Sequence, residues 1–560
     1  MVAPFNSDQH HFKEPPKKTR HRHTFVPMEL PTIAEDAQPL DPKKTHIAHH
    51  LNATTQNTTQ VAAAILPKLS LQSAIELVQK DGMHLGDLDN HMQNNVNVAM
   101  AATQQNGLAL QFVSAEIEQY PDIALAALKQ NKKARSYLDI NLTHREIINI
   151  AKELEYKSEE EGVCAGIVFM GVQALLLEDM ETFDTRLFML ALMIQKYKDD
   201  KPSLYKAIQE DPNLLPFFEG IELYLQADEH PDLFGKEHIL SGQTDTTFIP
   251  FVSNLVLPQK LVNKGGLEQA TLCTGMYTTD ELIKYLNSLK TVCSSDVPLA
   301  VVLRAENHTI MITYKPETNT WLFLNANQIL KRSVADTDTL ASAIFSAFFP
   351  KGPPPDRVLP LHTQIYTTKQ EAKSHALQKK LKTWKESKDF QEVHCITPQK
   401  LQMNDAIWLR NAIEYIDTNT LKALLKAGAD PNTRFTEGNT PLLLTVTKHA
   451  PKMVDVLVKA GADINLCAPD GCSPLMLSAS MNDVKTTQAL LKAKADPNLH
   501  LLEGGTALMI AVEKSHPKIV EILLRAGADR KALLPNGQTI LEFAYEKKDL
   551  NVIKLLLRSN

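Results

Sequence analysis

Three residues able to run nucleophilic catalysis stand in a telling order: Cys164, His308 and Asn325. Cys164 lies in Gly162-Val163-Cys164-Ala165-Gly166, just before the apolar run Ile167 to Leu177. That pattern predicts a helix N-terminus at the cysteine, where the dipole and free N–H groups favour a thiolate. His308 opens a predicted strand (308–314), and Asn325 closes the next. Lys315-Pro316-Glu317-Thr318 reads as a four-residue hairpin loop. With that loop Tyr314 pairs with Asn319, and His308 falls opposite Asn325, where an amide can orient an imidazole. A thiol at a helix start and an oriented imidazole are the parts that nucleophilic catalysis uses.

Other residues pull against that reading. Glu159-Glu160-Glu161 put negative charge beside the thiol and would raise its pKa. Ser158 is the one neutral polar residue just upstream that could donate to an oxyanion. A free cysteine is also commonly a small buried hydrophobe, and His308 could be a satisfied strand-edge residue. Cys273, in Thr271-Leu272-Cys273-Thr274-Gly275 ahead of a helical stretch (280–289), is a second, weaker thiol candidate.

Stepping outward, the chain divides by texture into an α+β multidomain protein. Residues 1–58, rich in His, Pro, Lys, Asn and Thr, read as a disordered tail. The basic cluster Lys17 to His23 within it is either a nuclear address or a solvated run. Residues 59–155 are helical and carry a 25-residue repeat: Asn97 to Asn106 is echoed by Asp122 to Asn131. This repeat resembles short helical repeats of intracellular bacteria such as Legionella, which implies a scaffold. Residues 156–350 pass from helix to β-rich text at 299–303, 308–314 and 321–324. Lys351-Gly352-Pro353-Pro354-Pro355-Asp356 marks a boundary. Residues 351–400 then read as a linker with a solvated, lysine-studded connecting helix.

The order Cys, His on a strand, Asn at the end of the next strand resembles papain-like cysteine proteases. The G-x-C-x-G helix start and Leu322-Phe323-Leu324-Asn325-Ala326-Asn327 are similar to their YopT-like bacterial effector branch. The resemblance implies a papain-like α+β domain with a small antiparallel sheet, with Cys164 as nucleophile, His308 as base and Asn325 as orienter.

The last third, 401–560, repeats every 33 residues. Asp430, Asp463, Asp496 and Asp529 keep that interval, each followed by a turn such as Gly438-Asn439-Thr440-Pro441-Leu442. A fixed period of a turn and two short helices marks a solenoid. Its G-x-T-P-L and L-L-x-A-G-A-D-x-N segments resemble the ankyrin family, with about four to five units, which implies protein partners. Phe435, Ala468, Leu501 and Leu534, with Leu502 beside them, make an apolar row at the hairpin tips and a candidate partner-binding edge. Lys494 replaces the helix-ending glycine, a change expected to cost little if its φ stays negative. Asn432, Asn465 and Asn498 resemble the substrate pattern of an animal asparaginyl hydroxylase; a purely structural turn asparagine is the other reading.

Composition sets the outer limits. Hydrophobic residues make up 43% and the formal net charge is −6, so nothing drives the chain toward nucleic acid or an anionic membrane. Six scattered cysteines suggest reduced thiols. The opening residues lack an apolar signal region, and no apolar run is long enough to span a bilayer. No segment resembles a phosphate loop, an H-E-x-x-H helix or an EF-hand, so no cofactor or metal is expected. The combination resembles ankyrin-bearing effectors that Legionella and its relatives inject through type IV secretion. That resemblance implies delivery to the cytosol or nucleus of a host cell and capture of a host protein there. Two functions stay open: a hydrolase acting on the captured protein, or a protease-like adaptor without activity.

Overall fold

The computed structural model describes residues 69–221 and 261–557, apart from 155, 157–162, 213, 216, 219, 262, 295–296, 306–307, 327–332, 350–357, 437, 503 and 535. The tail 1–58, the first residues of the helical region (59–68), Ser158, the Glu159–Glu161 run, Gly162 and the proline-rich boundary therefore lie outside the described residues.

The 25-residue repeat folds as helix followed by 3-10 turn. Helices α1 (Leu71–Lys80), α2 (Val96–Gln105) and α3 (Tyr120–Gln130) each run into a turn, at Gly82–Asp87, Gly107–Phe112 and Lys132–Tyr137. Asp81, Asn106 and Asn131 cap these turns, their side chains accepting from the N–H two residues on. One glutamine per unit ties it to the unit before. Gln105 Oε1 accepts from Gly82 N at 2.6 Å, and Gln130 Oε1 from Gly107 N at 2.6 Å. The fit demands glycine: a Cβ at Gly82 or Gly107 would lie 2.3 Å from the carbonyl oxygen of Ala102 or Ala127. The alanine faces thus serve close backbone approach. Helices α4 (His144–Glu153), α5 (Val163–Leu176), α6 (Met180–Lys196) and α7 (Lys201–Glu210) extend the same apolar core.

That core ends on a sheet. Strands β1 (Leu267–Tyr277), β2 (Ala300–Ala305), β3 (His308–Lys315), β4 (Thr320–Asn325), β5 (Ser333–Val334) and β6 (Leu359–Thr368) pair antiparallel in the order β1-β6-β2-β3-β4-β5. Val302, Met311, Leu324 and Tyr366 face the N-terminal helices. Val301, Ile310, Ile312, Phe323 and Ile365 face a second core built with α8 (Thr279–Cys293), α9 (Thr337–Phe348), α10 (His375–Glu386) and α11 (Lys388–Val393).

The reading of 351–400 as a linker fails here. β6 is an interior strand, buried along its whole length between β1 and β2. The lysine-rich helix is not a free connector either. Leu377, Leu381 and Trp384 of α10 are buried, and Trp384 Nε1 donates to Ser288 Oγ of α8 at 3.0 Å. Lys379 and Lys382 stand in solvent, while the half-buried Lys380 and Lys385 donate to the carbonyls of Ser294 and Leu272.

The solenoid comprises five helix pairs: α12 (Pro398–Glu414) with α13 (Thr418–Lys426), α14 (Pro441–Thr447) with α15 (Pro451–Lys459), and α16 (Pro474–Ser480) with α17 (Val484–Lys492). The last two are α18 (Ala507–Glu513) with α19 (Pro517–Arg525), and α20 (Ile540–Lys547) with α21 (Leu550–Leu557). Thr440, Ser473, Thr506 and Thr539 cap the first helix of successive units by accepting from the amide three residues on. Each such cap stabilises by about 1 kcal/mol. The solenoid is not separated from the sheet by a flexible hinge. Trp408, Leu409, Ala412 and Ile413 of α12 share one core with Met276 of β1, and α12 packs on β1 and β6.

Gly428, Gly461 and Gly527 take the left-handed conformation at equivalent helix ends, and so does Lys494, with φ +67°. The condition for a low cost, a negative φ, is not met, because the unit geometry imposes the turn whatever residue fills it. Replacing Lys494 with glycine should therefore raise stability by about 0.5–1 kcal/mol in urea unfolding. In the N-terminal repeat, Gly107→Ala should lower it by about 1–3 kcal/mol, since the new methyl meets backbone rather than a yielding side chain.

Candidate functional site

His308 and Asn325 meet as the sequence suggests, by a different register. Tyr314 pairs with Trp321 and Lys315 with Thr320, so the loop is Pro316–Asn319 and Ile310, not His308, stands opposite Asn325. Asn319 supplies the left-handed residue (φ +53°) that closes the loop, and its Oδ1 accepts from Tyr314 Oη at 2.6 Å. The slip is two residues, which leaves every side chain on its expected face. His308 and Asn325 become diagonal neighbours, with His308 Nε2 and Asn325 Oδ1 2.9 Å apart. Burial holds the imidazole below its ordinary pKa, the Asn325 bond works against that, and His144 adds like-charge repulsion. The group is a neutral, oriented imidazole.

Cys164 lies elsewhere. It is buried in the first turn of α5. That helix lies on the sheet face bearing Tyr366, which Phe169 meets edge-on at 5.5 Å. It also presses on Leu324, so closely that a Cβ on Gly171 would come 2.3 Å from Leu324 Cδ2. His308 and Asn325 have the opposite parity. They share the side of Ile310, Ile312 and Phe323, and Phe348 of α9 lies edge-on to the imidazole at 5.4 Å. Ala326, the residue after Asn325, returns to the α5 side. The structure therefore joins His308 to Asn325 and packs Cys164 in the core of Met311 and Leu324, whose side chains alternate with theirs. Burial pushes the Cys164 thiol up to about 11, so it stands as a thiol at neutral pH.

Cys273 sits within β1 rather than at a helix start. It lies 3.5 Å from Tyr285 Oη, and burial pushes it up to about 11 as well. All six cysteines are free. The polar residues Arg304, His362 and Gln364 of β2 and β6 escape a motif reading altogether. Their signal is polar side chains at alternate positions of strands covered on both faces.

On the solenoid the apolar row divides. The N–H groups of Phe435, Ala468, Leu501 and Leu534 close the hairpins by donating to the carbonyls of Asn439, Cys472, Gly505 and Gln538. Their side chains turn toward neighbouring loops: Phe435 is buried, and Ala468, Leu501 and Leu534 are half-buried. They are hairpin fillers more than an open edge. The residues that do stand in solvent are Leu502, 80% exposed, and Leu533, 57% exposed.

The turn asparagines are occupied. Asn432, Asn465 and Asn498 each accept, through Oδ1, the N–H of Asp463, Asp496 and Asp529 one unit on, at 2.8, 3.0 and 2.8 Å. Asn432 and Asn498 also donate to the carbonyls of Gly461 and Gly527. These side chains stitch successive hairpins, a structural role that accounts for their 33-residue spacing.

With this geometry in place, comparison with known families separates what is shared from what is particular. The ankyrin-repeat model, in three copies, matches residues 409–500 and 482–560, so the C-terminal units are ankyrin repeats and point to protein partners. A model described as a domain of unknown function, DUF4116, matches residues 74–118, within the 25-residue repeat. Comparison with curated proteins gives no match. The residues of the sheet lie between these matches, and the papain-like reading of them rests on sequence resemblance alone. Among the described residues no helix is long and apolar enough to cross a membrane.

The thiols make this arrangement testable. In native protein at pH 7.5, iodoacetamide should label exposed Cys395 first and leave Cys164 unmodified until denaturant is added. Peptide mass mapping over time reads the order.

Proposed function

We propose that this protein is a protein-binding scaffold whose ankyrin array works from a fixed base on the central sheet. The observation that carries this is the position of Cys164: buried, protonated and packed in the core of Met311 and Leu324, whose side chains alternate with the His308–Asn325 pair. A buried, protonated thiol that packs with the opposite core is poorly placed to hand its proton to that imidazole, since nucleophile and base must lie within hydrogen-bond reach. The ankyrin units, by contrast, offer a ready partner surface, with Leu502 and Leu533 exposed on neighbouring hairpins. The resemblance to bacterial effectors supports a host protein as the partner, and a translocation reporter tests the delivery it implies.

A second reading keeps a thiol hydrolase. It is favoured by the bond between His308 and Asn325, the pairing that such an enzyme uses to orient its base. It requires α5 to present its sulfur to that pair.

One experiment separates them. Partners are captured on the intact protein, on Leu502→Asp/Leu533→Asp and on Cys164→Ala, and each protein is treated with an electrophilic thiol probe. The scaffold reading expects a partner lost at least tenfold in the leucine variant, kept in Cys164→Ala, and no probe labelling of Cys164. Labelling that vanishes in both Cys164→Ala and His308→Ala would establish the hydrolase instead.

A further inference from the structure

Where the sheet meets α12, the protein buries a cation to which the described residues bring no counter-charge. Arg304 of β2 is 9% exposed, its Nη1 is fully buried without a hydrogen-bond partner, and among the described residues no carboxylate forms an ion pair with it. Its Nε donates to Thr309 Oγ1 at 3.3 Å, and its guanidinium carbon lies 5.8 Å over the Tyr415 ring. Both contacts help, yet neither neutralises a buried charge, whose desolvation is costly unless it is paired.

The surroundings are polar and incomplete in the same way. His362 of β6 pairs with Arg304 in register and stacks on Tyr415 at 4.2 Å. Its Nδ1 lies 3.0 Å from Thr274 Oγ1, while its buried Nε2 has no partner. Gln364 and Tyr366 follow on the same face of β6, with Gln364 Oε1 and Tyr366 Oη likewise buried and unpartnered. Asn411 of α12 stands one helical turn before Tyr415, the residue that caps that helix, and its buried Nδ2 is a donor without an acceptor. Buried polar atoms in proteins are almost always satisfied, so several orphans around one arginine call for a common partner. The groups able to donate (Arg304, His362, Tyr366 and Asn411) outnumber the one obligate acceptor, Gln364 Oε1.

We propose that this junction binds a small oxyanion, a phosphate or carboxylate group, with Arg304 as counter-charge and His362, Tyr366 and Asn411 as donors. Guanidinium is suited to both ligands because its fork of N–H groups matches two oxygens at once. Since α12 is the first helix of the solenoid, the bound anion bridges the sheet to the partner-binding array.

The test is thermal unfolding of the full chain in chloride, inorganic phosphate or acetate at matched ionic strength and pH 7. A ligand of the folded state raises the midpoint whether or not the site is open. Phosphate or acetate should raise it saturably, by about 2 °C or more, and whichever does so names the group. Arg304→Met should lose the response. Gln364→Glu sets a carboxylate diagonally beside Arg304, as Gln364 pairs with Val302 and Arg304 with His362. It should raise the midpoint in chloride alone and abolish the anion effect, and it decides the matter if Arg304→Met fails to fold. The proposal is overturned if neither anion shifts the intact protein, or if Gln364→Glu responds like the wild type.

Discussion

The inner strands of the sheet, β2, β3, β4 and β6, are covered on both sides, and that double burial governs how the rest of the structure can be used. Side chains in a strand alternate, so the buried apolar residues of β2, β3 and β4 divide between the core under α5 and the core under α8 and α9. No side chain can serve both. A catalytic cluster drawn from strands and a helix must therefore agree in parity as well as in chain order. His308 and Asn325 agree with one another, and Leu324, on which the Cys164 helix rests, belongs to the other side.

Much of the architecture was legible because it repeats. The 33-residue spacing gave the solenoid, and the structure adds that its caps, hairpins and asparagine stitches recur at that same interval. The 25-residue echo was also visible, though not its cause: a glutamine reaching back to a glycine amide that tolerates no side chain. Strands β2, β3 and β4 could be read from their apolar, β-branched text. β6 could not, since its polar residues disguise a strand buried on both faces behind a proline-rich approach.

The candidate site was half legible. Local pattern identified the His308–Asn325 hairpin, and even a misplaced loop left the pair together, because a slip of two preserves facing. The third residue depended on tertiary packing. Nothing in the text around Cys164 says against which face of the sheet its helix will settle; Phe169 against Tyr366 and Gly171 against Leu324 decide it. The charge-bearing junction at Arg304 was hidden for the same reason, as its members come from β2, β6 and α12, far apart in sequence.

Helix α12 has membership in two structural bodies, since Trp408 and its neighbours pack with Met276 of the sheet as well as with the ankyrin units. The array thus has no swivel at its root. Whatever grips the outer loops is presented at a set bearing to the strands, and tension on those loops travels into the sheet through one helix. Dividing the polypeptide just ahead of Thr397 would strip that helix of half its packing, so the repeats are not an autonomous module that can be lifted out unchanged.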